Sequence, residues 1–216
     1  MMDELELLKK DWQSKEEHLP RLSYNDIYQM LWKKSSSIVK WILIISILEF
    51  TLPHLLYLFP GVSKSFETYE KLGVKDISTA IWIISYLISF YFIYQFYNRY
   101  KEISTLDNAK KLMEKIIRTR KTVKHYVIYS LSMLFVTCII IMIGIYLSDN
   151  LLDAFPSAND GEQKIAPEEF KNILLWTMGV FSILMVAFMG GIYFLLYGLL
   201  LKKLNRNYKE LKRLEV

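Results

Sequence analysis

A single acid lies inside an apolar stretch of this sequence: Glu49 belongs to WILIISILEFTLPHLLYLFP, residues 41–60. It lies about 13 Å beyond Lys40 along a helix, which places it near the middle of a bilayer core. A charge at that depth costs on the order of 2.5–3.5 kcal/mol, so such residues face a bundle interior and mark functional sites. Pro53 has no N–H and leaves the Glu49 carbonyl without its helical partner. Together with the neighbouring His54, these residue types predict a buried polar site.

Hydroxyl groups of a second apolar stretch are expected at a comparable depth. Antiparallel packing would place Ser85, Tyr86 and Ser89 beside Glu49 as hydrogen-bond partners. In a structural interpretation, a protonated Glu49 donates a hydrogen bond that fixes helix packing around a proline kink. In a functional interpretation, it exchanges protons or binds a cation or polar ligand, with His54 on the outer path. The structural interpretation is preferred because only these two ionisable groups lie within the spans.

The sequence predicts no catalytic residue, no metal site and no cofactor. His18, His54 and His125 fall at three different levels of the predicted architecture, and Cys138 is the single cysteine, so neither a metal cluster nor a disulfide is indicated. Phosphate-binding loops, nucleophile elbows and dinucleotide fingerprints are missing from the sequence. An enzyme is therefore the least favoured class of function.

Four apolar runs must position these residues. Each has the length of about 20 residues that a hydrocarbon core of about 30 Å requires, and a spanning segment must satisfy its own backbone as a helix. The sequence therefore predicts an all-α integral membrane four-helix bundle, with spans at 41–59, 77–97, 126–147 and 173–201.

The basic residues predict the orientation of this bundle. Of the 27 Lys and Arg residues, 22 lie in the segments 1–40, 98–125 and 202–216. The positive-inside rule then puts both termini and the central loop in the cytoplasm. The net charge of +5 follows from this topology, so the expected partner is the lipid bilayer and no specific nucleic acid.

The segment before the first span has an amphipathic pattern. Leu5, Leu8 and Trp12 recur at helical spacing, and they predict a cytoplasmic helical segment over 1–36, followed by a transmembrane domain over 37–216. Such an apolar stripe either lies on the bilayer or docks on another protein. The three residues are therefore candidates for docking a partner.

Small residues in the fourth run predict a close helix contact. Ala187 and Gly191 form a small-xxx-small pair, and Gly190 and Gly198 lie nearby. The contact is expected either inside the bundle or across a homo-oligomer.

The order of MDELELLKKDW, SYNDIY, KKSSSIVKWI and TRKTVKHYV along the chain resembles a group of small four-span inner-membrane proteins of Bacteroidota-type bacteria. Members often carry the label beta-carotene monooxygenase, which implies a histidine-ligated iron, whereas the residues here predict none. Their genes tend to lie near sigma-factor genes. The leading hypothesis is a membrane-held interaction or regulatory subunit that contacts a sigma factor or a membrane subunit; the alternative is a small transporter or lipophilic-ligand binder centred on Glu49.

Overall fold

The computed structural model of the chain describes residues 6, 23–56, 67–104, 108–148, 151–155 and 166–214. Within these ranges the regular elements are helices and there is no strand, which confirms the all-α class. Four helical stretches are long and apolar enough to cross a membrane, as the sequence predicts. The elements are α1 (Tyr24–Leu56), α2 (Lys75–Ser104), α3 (Ala109–Leu147), α4 (Leu151–Ala154), α5 (Pro167–Tyr193), a π-helical turn (Phe194–Gly198) and α6 (Leu199–Leu214).

The helices begin at residues that suit helix starts. Ser23 and Asp26 form a capping box before α1: the Asp26 N–H donates to Ser23 Oγ at 3.2 Å, and the Ser23 N–H donates to Asp26 Oδ2 at 3.0 Å. Asn108 caps α3 by accepting the Lys110 N–H at 2.9 Å. Pro167 occupies the first position of α5, where its missing N–H leaves no helical bond unmade.

The long helices extend well past the predicted spans at one end of the bundle. The 39 residues of α3 correspond to about 58 Å, roughly twice the thickness of a hydrocarbon core. Helix α1 runs without a break across residues 36 and 37, where the sequence suggested a boundary between segments. The end where α1 and α3 begin and α6 finishes is called the basic end below, because most described Lys and Arg residues lie there.

Packing at the basic end closes the bundle. Helix α1 packs on α2, α2 packs on α3, and α6 packs on both α1 and α3. Away from this end α5 packs on α3, while contact between α1 and α5 is sparse. The main core fills the basic half and includes Val39, Ile42, Phe96, Ile103, Leu112, Ile116, Val123, Tyr126, Tyr197, Leu204 and Leu211.

A smaller core lies at the opposite end. It joins the segment before α2 to the last turns of α3 and to α4, through Leu72, Val74, Ile145 and Leu151. Gly144 permits this contact, because a Cβ there would lie 2.7 Å from Val74 Cγ1.

The small residues of α5 do not bring two helices of the chain together. Ala187 and Gly191 are exposed, and a Cβ on Gly191 would meet nothing within 4 Å. Gly190 approaches α3 only loosely, since its Cβ position lies 4.0 Å from Leu131 Cδ1. Gly198 packs against Phe194 of its own helix. The sequence left open whether this pair makes its contact inside the bundle or across a homo-oligomer. Both residues are exposed in the described structure, and the contact across a homo-oligomer stays a prediction.

Candidate functional site

Three tyrosine hydroxyls converge on the carboxylate of Glu49. The Tyr126 and Tyr197 hydroxyls each donate to Oε2 at 2.9 Å, and the Tyr193 hydroxyl donates to Oε1. Glu49 belongs to α1 and Tyr126 to α3, while Tyr193 and Tyr197 flank the junction of α5 with the π-helical turn. The cluster therefore links three of the long helical stretches through one acid.

The direction of these bonds differs from the predicted role of Glu49. A carboxylate is an acceptor only, with about four lone-pair positions on its two oxygens, and three of them receive tyrosine hydroxyls here. The geometry suits the ionised acid as an acceptor, whereas the sequence suggested a protonated donor. The three tyrosines lie on α3, α5 and the π-helical turn, whereas the sequence suggested hydroxyl partners on α2.

The spacing of Tyr193 and Tyr197 explains how two tyrosines of one helix reach the same carboxylate. They are four residues apart, and side chains at that spacing lie on the same face of a helix. The two rings stack with centroids 5.9 Å apart, and both hydroxyls donate to Glu49. The helix changes from α to π geometry between them, and such turns are frequent at functional sites.

Aromatic rings of α2 and α3 support the cluster from the side. Phe92 and Phe96 each meet the Tyr126 ring edge-on, at 5.3 and 5.4 Å between centroids. Tyr126 in turn meets the Tyr197 ring edge-on at 5.7 Å. Tyr197 is only 1% exposed, so its ring is fixed by packing and its hydroxyl by Glu49.

A cavity of about 310 Å³ begins where this cluster ends. Glu49, Tyr126 and Tyr193 form part of its wall, and Met133 and Met189 add flexible apolar surface. All six residues of the predicted polar site also line it, namely Glu49, Pro53, His54, Ser85, Tyr86 and Ser89. The predicted residues therefore share one cavity, although the three hydrogen bonds described on Glu49 come from tyrosines of the other helices.

His54 lies among aromatic rings on one wall of the cavity. Its Nδ1 is 2.7 Å from the Phe50 carbonyl oxygen, so Nδ1 carries the proton and donates. The imidazole lies 4.9 Å from the Phe50 ring and 5.2 Å from the Tyr86 ring, between centroids. Helix α1 continues through Pro53 to Leu56, so the proline stands within the last turn of the helix.

Tyr126 begins the predicted third span, whereas Glu49 lies well inside the predicted first span. Lys124 and His125 are exposed and directly precede Tyr126 on α3. The two predicted spans are therefore not in register at the hydrogen bond between Tyr126 and Glu49.

The charge and ring content of the cavity limit the chemistry that it supports. Among the described residues that line it, Glu49 is the one acid and there is no Lys or Arg. Five aromatic rings face it, those of Phe50, Tyr86, Tyr126, Tyr129 and Tyr193. Across the described part of the chain, no three His, Cys, Asp or Glu side chains come together as metal ligands.

The site contains residues that the sequence analysis missed. Tyr193 and Tyr197 fall within the predicted fourth span and Tyr126 begins the predicted third span, but the sequence analysis assigned none of them to the site. A usable signal was present: a buried tyrosine hydroxyl needs a partner, and Glu49 was the one acid within the spans. The predicted docking residues Leu5, Leu8 and Trp12 lie outside the described residues.

Comparison with known proteins gives a family and no activity. No curated protein and no solved structure matches this chain. A family described as "Domain of unknown function (DUF8845)" matches residues 25–216. The match contains every residue of the Glu49 cluster and its cavity, and it begins after Leu5, Leu8 and Trp12. The chain belongs to this DUF8845 family.

Proposed function

We propose that this protein binds a small lipophilic cation in the cavity beside Glu49. The observation that carries the proposal is one carboxylate, held by three tyrosine hydroxyls, in the wall of a cavity of about 310 Å³. Ligand sites typically have volumes of about 300–1,000 Å³, with apolar and aromatic walls and a few placed polar groups. Tight packing around Glu49, without such a cavity, would have favoured a purely structural role.

The chemistry of the wall selects the charge of the ligand. Among the described residues, Tyr193 is the one tyrosine that donates to Oε1, so this oxygen has room for a further donor. The described lining supplies no Lys or Arg to neutralise the carboxylate. Aromatic faces attract cations, by about 0.5–2 kcal/mol each depending on solvation. A protonated amine or quaternary ammonium with an apolar body satisfies both features.

The proposal places this site in the inner membrane of a Bacteroidota-type bacterium, with the basic end in the cytoplasm. Four long apolar helices and a broad belt of exposed apolar side chains, such as Leu52, Leu87 and Ile183, support a membrane setting. The bias of Lys and Arg towards the basic end supports the orientation. We propose that a ligand dissolved in the bilayer reaches the cavity between α1 and α5, where the two helices have few contacts.

Direct binding of a matched pair of ligands tests the proposal. Benzyltrimethylammonium is a permanent cation, and neopentylbenzene has the same shape with carbon in place of nitrogen. We expect the purified full-length protein in nanodiscs to bind the cation saturably. Glu49→Gln should weaken that binding about 10- to 100-fold, since an interaction with a charged partner contributes about 1.5–3 kcal/mol. Binding of neopentylbenzene should change little.

Glu114→Gln is the control for this experiment. Glu114 is an exposed acid on α3 that pairs with Arg118 and does not line the cavity. Its removal makes the same change in net charge and should leave both ligands unaffected. If Glu49→Gln lowers only the stability of the protein and the cation still binds as before, Glu49 has only a structural role in helix packing and the proposal fails.

The interaction role suggested by residues 1–36 is a separate proposal. Its candidate residues, Leu5, Leu8 and Trp12, precede the matched family region. Ligand binding by the bundle and partner binding by the N-terminal segment are separable by truncation.

A further inference from the structure

A second cavity lies at the basic end, between α1 and α6, and is unrelated to Glu49. It has a volume of about 710 Å³. Four cations line it: Lys33 and Lys34 from α1, and Lys203 and Arg206 from α6. All four side chains are exposed, and no acid is among the described lining residues. The nearest acid in contact with the set is Glu210, whose Oε1 lies 3.4 Å from Arg206 Nε.

The position of this basic groove coincides with a change of polarity along both helices. On α1 the cations are followed by Trp41, which is 54% exposed, and then by apolar residues. On α6 they are preceded by Leu199 and Leu200, at the end of the apolar stretch. Trp41 and Leu200 belong to the lining together with the cations. The groove thus presents charge on one side and apolar surface on the other, as the boundary of a bilayer does.

A buried amide in the wall has an unused acceptor. Asn207 is 0% exposed, and its Nδ2 donates to Ser35 Oγ at 3.0 Å. Its Oδ1 is buried with no hydrogen-bond partner among the described residues. A buried acceptor without a donor is costly, and it is normally satisfied by water or by a ligand.

We propose that this groove binds an anionic glycerophospholipid whose head group carries hydroxyls, such as phosphatidylglycerol. The phosphate accepts hydrogen bonds from the four cations, because Lys and Arg are the usual ligands of phosphate oxygens. A head-group hydroxyl that displaces the side chains covering Asn207 supplies the donor that its buried Oδ1 lacks. The acyl chains continue along Trp41 and Leu200, which a soluble phosphate compound would leave unused. The lipid would join the ends of α1 and α6, and so hold the basic end closed.

The wild-type protein alone can test the head-group preference. The measurement is the concentration-dependent rise in melting temperature of detergent-purified protein on adding dihexanoyl lipids. We expect phosphatidylglycerol to act at about fivefold lower concentration than phosphatidylmethanol, which has the same charge but no hydroxyl. Dihexanoyl phosphatidylcholine should have little effect. Equal potency of the three lipids would overturn the proposal, and an equal effect of inorganic phosphate or glycerol 3-phosphate would overturn the assignment to a lipid.

Removing the four positive charges of the groove provides a second test of the proposal. Lys33→Gln, Lys34→Gln, Lys203→Gln and Arg206→Gln together should reduce the phosphatidylglycerol retained by the purified protein in native mass spectrometry by about tenfold or more. A matched variant changes the exposed lysines of α3 that do not line the groove, namely Lys110, Lys111, Lys121 and Lys124. It makes the same change in net charge and should retain lipid. Equal loss in both variants would mean that general attraction to a basic surface, and not this groove, holds the lipid.

Discussion

Removing the hydroxyl of Tyr197 tests the hydrogen bonding of the Glu49 cluster without changing a residue that lines the cavity. Tyr197 is buried and donates to Glu49 Oε2 at 2.9 Å, yet it does not line the cavity. A hydrogen bond to a charged group contributes about 1.5–3 kcal/mol, while hydrogen bonds between membrane helices average only about 0.6 kcal/mol. We therefore expect Tyr197→Phe to lower the free energy of unfolding by about 2 kcal/mol, because its partner is an ionised carboxylate.

The assay is reversible unfolding in mixed micelles, followed by circular dichroism. Tyr94→Phe is the matched control, since this tyrosine is 62% exposed on α2 and its hydroxyl removal should change stability by less than about 0.5 kcal/mol. A double-mutant cycle with Glu49→Gln should show most of the Tyr197 effect disappearing. A cost equal to that of Tyr94→Phe, or one that persists undiminished when Glu49→Gln is also present, would refute the ionised, three-donor description of the site.

Three further predictions concern the frame around the site. Gly144→Ala should destabilise the protein by about 1–3 kcal/mol, because its Cβ would lie 2.7 Å from Val74 Cγ1. Gly191→Ala, with open space around its Cβ, should not destabilise the protein in the same mixed-micelle unfolding assay. Trp32→Phe should cost about 1 kcal/mol in that assay, since its indole N–H donates to the last turn of α2 at 2.7 Å. Deleting residues 1–22 should leave benzyltrimethylammonium binding unchanged, because the matched family region and the cavity lie beyond them.

Each of these predictions has an outcome that contradicts it. Equal stability of the Gly144 and Gly191 variants would mean that the contact between α3 and the segment before α2 is looser than described. A neutral Trp32→Phe would remove the indole as a link between α1 and α2. Loss of cation binding on deleting residues 1–22 would show that the bundle needs this segment, and would favour the N-terminal segment as part of the functional site.

The four long helices, and the positions of several site residues along them, were predictable from the sequence. Apolar length and backbone satisfaction in lipid are strong local constraints, so the four long helices follow from composition. The rarity of an acid in an apolar run pointed to Glu49, and antiparallel succession placed Ser85 and Ser89 at a similar level. These inferences need only the period and direction of a helix, which a sequence supplies.

The partners of Glu49 depended on information that is not local. The stagger of α3 against α1 brings Tyr126 to Glu49, although the sequence placed one at a membrane boundary and the other near the centre. The π-helical turn changes which side chains of the last helical stretch face inward, and no residue pattern in the sequence predicted this turn. Aromatic residues near a span end are common at membrane boundaries whatever they contact, so the positions of Tyr193 and Tyr197 did not indicate an acid as their partner.

Locating the bound ligand tests the central claim most directly. The probe is a quaternary ammonium that carries a photoreactive diazirine, cross-linked to the full-length protein in nanodiscs and mapped by mass spectrometry. The account predicts labelling within residues 46–54, 85–93, 126–133 and 189–193, prevented by excess benzyltrimethylammonium and reduced in Glu49→Gln. Labelling that falls only outside these segments, or that excess cation does not prevent, would contradict the claim that the Glu49 cavity binds a lipophilic cation.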